Sequence, residues 1–264
     1  PSLIPHFFFI CYSTNIMRIR QLVFVAKERD ELSRQICTLF DLNETYNDAG
    51  LISFGLENVL IPLGDTFIEI VTPVTENTTA ERFLSKRKGD GGYMVIVDVA
   101  DFEKEKERVS ASGIDIVWEG NRKEEGIQAR TIHLHPKQVG GAIVSLDIMH
   151  PEDAWLWAGT DWKKDINKVL VDRLSGVILQ SEDPAKLCSK WEKALGVQKS
   201  SNELSIHLNE SKISFVKEVD GRGEGVHAFI IKALEKEKIL ENATDMKALR
   251  DGEIYLGGVK ILLE

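Results

Sequence analysis

His133 and His135 stand two residues apart in RTIHLHPKQVGG, a spacing that lets two imidazoles share one face of a strand and one metal ion. His135 opens an HPK turn, which favours a structural role for it. His227, in GEGVHAFIIKA, is expected at a helix-facing or rim position, with Tyr93 as its counterpart in GDGGYMVIVDV. Gly89, Gly91 and Gly92 offer a loop that could cradle a phosphate. They precede a strand rather than a helix, so a turn is the better expectation. Cys11, Cys37 and Cys188 form no spaced framework. Cys37 and Cys188 fall in amphipathic patterns and are expected to be buried free thiols, which suits a reducing, cytoplasmic compartment. The EKEKER run is a solvated helix face.

These residues must be placed by a chain of 264 residues, 43% hydrophobic and 28% charged, which is the composition of a globular protein. A net charge of −9 argues against a nucleic-acid partner. No apolar run approaches the roughly 20 residues that span a bilayer, so no membrane partner is expected. PSLIPHFFFICYSTNI, residues 1–16, is apolar but lacks the basic start of a secretory signal. With Met17 as the natural start, it is an extra or disordered segment. The alternative is a short added strand or interface arm.

One pattern recurs four times along the chain. Residues 18–26 read as a strand, and Glu28–Asp41 as a helix with Leu32, Ile36 and Leu39/Phe40 at helical spacing. Short strands are expected at Leu51–Phe54, Asn58–Leu63 and Thr66–Val71. The second copy has strands at Tyr93–Val99, Asp115–Trp118, Ala129–His135 and Ala142–Leu146, with a helix at Asp101–Ser112. The third has Leu174–Gln180, a helix at Pro184–Leu195 with Pro at its first turn, then Leu204–Leu208 and Lys212–Lys217. The fourth has Val226–Ala233, a helix near Lys236–Leu249, Glu253–Tyr255 and Val259–Leu263. RQLVFVAKERDELSRQI aligns with SGVILQSEDPAKLCSKW, GDGGYMVIVDV with GEGVHAFIIKA, and VGGAIVSL with LGGVKILL. Three anchors in one order divide the chain into equivalent halves, residues 17–148 and 171–264. Residues 149–170 hold Trp155, Trp157 and Trp162 and read either as a segment packed between the halves or as an aromatic partner-binding patch.

GDTFIEIVTPVTENTTAERFLSKRKGDGGYMVIVDVADFEKEKERVSASGIDI, followed by HLHPKQVGG, resembles the glyoxalase I and methylmalonyl-CoA epimerase branch of the vicinal-oxygen-chelate superfamily. The likeness lies in an apolar–Glu–apolar strand ending near Pro, a Lys-Arg-rich turn into a Gly loop, and an HPK turn before a GG-led strand. It implies an α+β fold of tandem domains, each with two paired βαβββ modules that curve a sheet into a cup. Metal-dependent members hold a divalent ion there with one side chain from each of four strands, and a carboxylate moves a proton.

By that resemblance the four positions fall on Gln21, Glu69, Met94 and Ser145. Gln21 and Glu69 agree with the family. A thioether at Met94 is a poor ligand for such ions, and neutral Ser145 cannot serve as the ionised base. In the second half the positions read Gly176, Ser214, Ala228 and Leu262. No metal or other cofactor is therefore expected. Val23, Val25, Phe67, Ile96 and Ile143 would line an apolar first cup beside Gln21, Glu69, Met94, Asp98 and Ser145. The resulting expectation is a cup that binds or converts a small organic ligand, with Glu69 as its acid or base. Two rivals are a metal-dependent lyase, isomerase or dioxygenase with ligands completed from elsewhere, and a non-catalytic assembly module. A homodimer is compatible with each.

Overall fold

The computed structural model describes residues 17–264; the expectations for residues 1–16 and Cys11 lie outside them. The first half runs β1 (Met17–Val25), α1 (Arg29–Phe40), β2 (Leu56–Leu63), β3 (Thr66–Pro73), α2 (Thr79–Arg87), β4 (Gly91–Val99), α3 (Phe102–Ala111), β5 (Ile116–Glu124), β6 (Ile127–Leu134), α4 (Pro136–Val139) and β7 (Ile143–His150). The second runs β8 (Val171–Ser181), α5 (Pro184–Leu195), β9 (Ser205–Leu208), β10 (Ser211–Lys217), β11 (Gly225–Ala233), α6 (Lys236–Asp245), β12 (Leu249–Arg250), β13 (Glu253–Leu256) and β14 (Val259–Leu263). Each half builds a seven-stranded sheet, in the orders β2-β3-β1-β4-β7-β6-β5 and β12-β13-β14-β11-β8-β10-β9. Both have an antiparallel central pair, β1–β4 or β8–β11, flanked by parallel neighbours.

Local chemistry explains most of the elements. Asp183 accepts from the Lys186 backbone N–H at 2.9 Å, Pro184 occupies the first turn, and Gly196 closes α5 in the left-handed region. Asp101 caps α3 in the same way. The β5–β6 hairpin turns through Glu125 (φ 48°) and Gly126 (φ 82°), two consecutive positive-φ residues as a tight hairpin requires.

Several expected elements differ, among them the last helix, which ends at Asp245 before a short strand at Leu249–Arg250. Residues 49–54 form a 3-10 turn, not a strand, because the Asp48 carboxylate accepts from Gly50 N–H at 2.9 Å and tightens the chain. The Lys-Arg-rich stretch expected as a turn is the last turn of α2. Thr78 caps that helix, and only Ala80, Leu84 and Arg87 are buried in it. Gly91 and Gly92 begin β4 rather than a loop.

The convex faces of the two sheets share one core with the helices. Phe24 and Phe229 meet there edge to face at 4.7 Å between centroids. A Cβ on Gly92 would stand 2.6 Å from Val226, so only glycine permits this approach. Arg87 donates to the carbonyls of Arg222 and Gly223, both at 2.8 Å, and Arg222 donates back to the Arg87 carbonyl at 2.9 Å. The tryptophan-rich segment does not lie between the halves. Trp155 and Trp162 are buried against Phe67 on the concave face of the first sheet, where indole and ring burial is available. Among the described residues no helix is long and apolar enough to cross a membrane.

Candidate functional site

A β-bulge decides what enters the first cup. Ile19 pairs with Val97 and Gln21 with Ile96, leaving Arg20 unopposed. Met17 and Ile19 therefore join the shared core, whereas Val23 and Val25 join the concave cluster beside Gln21. Gln21, Glu69, Met94 and Ser145 line one cavity of about 990 Å³, with β1, β3, β4 and β7 each contributing one.

Glu69 is buried at its floor. Its Oε1 accepts from Asn58 Nδ2 and its Oε2 from Gln21 Nε2, each at 2.7 Å. Neither amide is free to turn. Trp155 Nε1, which can only donate, holds Gln21 Oε1 at 2.7 Å, and the Asp48 backbone N–H holds Asn58 Oδ1 at 2.8 Å. Both amides thus present N–H groups to Glu69. Burial pushes its carboxyl up to about 7, against those hydrogen bonds and with help from the Asp48 charge.

The opposite wall holds a group the sequence reading missed. Asp147 follows Ser145 by two on β7, so both face the cavity. Ser145 Oγ and Thr131 Oγ1 (2.9 Å) donate to Asp147 Oδ1, and Trp157 Nε1 donates to Oδ2 at 2.6 Å. Burial raises this carboxyl to about 7, again against its hydrogen bonds. His133 also lines the cavity, its ring tilted 51° against Trp118 at 4.6 Å between centroids, and burial pushes it down to about 4, so it is neutral near neutral pH. Tyr93 lines the same cavity. His135 instead caps α4, its Nδ1 accepting from Lys137 N–H at 3.2 Å. The two histidines are not a ligand pair.

Asp98 does not belong to the cavity wall. It lies beyond it with Arg18 (3.5 Å) and Arg20 (3.2 Å). The Arg20 guanidinium sits 5.1 Å over the Trp155 ring, whose N–H reaches Gln21, so this indole stands between Asp98's charge cluster and the cavity. Cys37 and Cys188 are free thiols; burial raises Cys37 to about 11.

The donor set does not suit the family's divalent ion. The Gln21 oxygen is taken by Trp155, both Glu69 oxygens hold amide N–H groups, Met94 offers a thioether, and Ser145 is tied to Asp147. Among the described residues, no three His, Cys, Asp or Glu side chains converge. In the second sheet Ile230 pairs with Gly176 and Leu262, as Ile96 pairs with Gln21 and Ser145. The four family positions there, Gly176, Ser214, Ala228 and Leu262, bear no carboxylate.

Comparisons with known proteins agree with this architecture. A glyoxalase-like domain family profile matches residues 22–195. An ethylmalonyl-CoA/methylmalonyl-CoA epimerase of Cereibacter sphaeroides is 27% identical over 93 residues, 35% of this chain and 69% of that protein. A mutant 4-hydroxymandelate synthase from Streptomyces coelicolor superposes with a TM-score of 0.68 at 12% identity, over 89% of this chain and 76% of that one. A hypothetical protein from Staphylococcus aureus superposes at 0.64 and 13% identity, over 94% and 99%. The two structures share the fold. The chain belongs to the glyoxalase-like family of the vicinal-oxygen-chelate superfamily and carries two tandem domains of that fold.

Proposed function

We propose that the first cup binds a small organic molecule and moves a proton on it through Glu69, without the divalent ion used by metal-dependent members of the superfamily. As an enzyme it would be a lyase or isomerase of the glyoxalase or epimerase type. The observation that carries this reading is Glu69 itself. It faces a cavity of about 990 Å³, its hydrogen-bond donors are fixed by second partners, and its carboxyl is poised near neutrality. A proton carrier works best with a pKa near the working pH. Each Glu69 oxygen keeps a lone pair beyond the amide it accepts, so the carboxylate can take a proton from a ligand while its holders stay in place. Asp147, with Ser145 and Thr131, supplies a second proton-handling group on the facing wall. The Ser145 hydroxyl lies 3.4 Å from the Ile132 carbonyl and can turn to it when Asp147 is protonated.

Native mass spectrometry of protein purified without chelator tests the binding and the metal together, and reports oligomeric state. The expected result is a bound organic mass and no stoichiometric transition metal. One metal per chain would overturn the metal-free reading. For the role of Glu69, Glu69→Gln is expected to reduce affinity for the co-purified molecule and any turnover of it. If both were unchanged, the assignment of Glu69 would be wrong.

A further inference from the structure

The charges around the cavity are unbalanced in one direction. Its charged lining residues are Asp48, Glu69, Asp147 and Arg122. Arg122 is consumed at the rim, 3.1 Å from Asp48 and in contact with Glu124 and the Tyr46 hydroxyl. Its one positive charge there faces two carboxylates, so none is left over for the cavity. Glu69 on β3 and Asp147 on β7 keep amide, hydroxyl and indole partners, which satisfy hydrogen bonds but supply no positive charge. The nearby imidazole of His133 is neutral. Arg18 and Arg20, the nearest cations on β1, are paired with Asp98 outside the cavity wall.

An anion in a dry site without a counter-charge is costly, and a ligand that brings a cation removes that cost. The walls suit the same ligand. Tyr46, Tyr93, Trp118 and Trp157 line the cavity, and aromatic faces attract ammonium and guanidinium groups. Exposed Phe54 and Val117 extend the apolar surface to the mouth. A carboxylate or phosphate entering the same space would meet Glu69 on the floor and Asp147 on the facing wall, each negative once deprotonated. Methylmalonyl-CoA, named for the epimerase relative, is an anion of that kind.

We propose that the cup selects a cationic ligand, an amine or guanidinium on an aromatic or apolar body, and rejects organic acids. Glu69 and Asp147 are its specificity-determining residues. The inference rests on the cavity being a small-molecule site, and three probes of one shape separate the two statements. Phenethylamine, phenethyl alcohol and phenylacetate share a ring and a short arm but differ in charge. Calorimetric titration of the intact chain at slightly alkaline pH is expected to show the amine binding at least about tenfold tighter than the alcohol, and no measurable heat from the acid. Glu69→Gln and Asp147→Asn should each reduce the amine's advantage over the alcohol by about tenfold. Alcohol and amine binding alike, or the acid binding best, would overturn the charge preference while sparing the pocket. Binding of none of the three would overturn both. The order of the probes on the unmodified protein decides the matter even where a variant fails to fold.

Discussion

The concave faces of the two sheets have the same strand order and the same register, yet they differ in content. The first holds Gln21, Glu69, Ser145 and Asp147 beneath a strap of tryptophans. At the corresponding places the second holds Gly176, Ser214, Leu262 and an exposed Glu264, with Ile178 and Ile230 half-buried beside them. Topology fixes where a site would be in either sheet. Whether chemistry is present depends on the carboxylates and on the segment that covers and orients them. The residues of that segment arrive from beyond the sheet, with Trp155 reaching Gln21 across 134 positions.

That contrast can be broken most forcefully at Trp155. Trp155→Ala removes a fully buried indole and the donor to Gln21, and should cost about 3–5 kcal/mol in denaturant unfolding. Ile230→Ala on the other concave face should cost only ~1 kcal/mol, because that side chain is already partly in water. Equal losses would mean that the strap does not distinguish the two faces.

The next effect is on the pH dependence of stability. Glu69 rises from 4.5 to about 7 and Asp147 from 3.8 to about 7 in the folded state. The native protein then keeps protons that the unfolded chain has released. Stability is greatest below the unfolded values and falls as pH rises towards about 7. Asp98, raised to about 6, acts in the same sense at lower pH. His133, lowered from 6.5 to about 4, acts in the opposite sense below its ordinary value. Above about pH 6.5 the decline belongs chiefly to Glu69 and Asp147, at up to ~1.4 kcal/mol per pH unit for each. Urea melts between slightly acid and slightly alkaline pH should show it, and Glu69→Gln should remove close to half. A slope unchanged by that substitution would assign the decline to other groups. The smallest effect is expected at the mouth. Phe54→Ser exchanges an exposed side chain and should shift stability by no more than about 0.5 kcal/mol, so a larger loss would mean that the rim is structural.

Much of this was legible in the sequence where punctuation and period agree. Pro184 and Gly196 bracket α5, and the alternation around Glu69 placed it on the cup face. Asp98 was misplaced because alternation along one strand carries no information about the bulge at Arg20 or the indole that walls off that end. Asp147 is legible in the same alternation, with Ile143, Ser145 and Asp147 on one face of one strand, but it lies one step past the family's fourth position. Residues 51–54 read as a strand from Leu51, Ile52 and Phe54, although a polar cap at Asp48 bends the chain first. The hydrogen bonds from Trp155 and Trp157 were beyond reach, since nothing local to those residues names their acceptors.

The back-to-back contact of the sheets changes what duplication means for this chain. A second copy of a domain is ordinarily read as a second workplace. Here the later half serves as a keel. Its working surface is the one turned toward the first half, where Phe229 meets Phe24 and Arg222 interlocks with Arg87. Either half made alone would carry its interior on its exterior. The residues of the second half that matter most to the first cup are therefore those farthest from any cup at all.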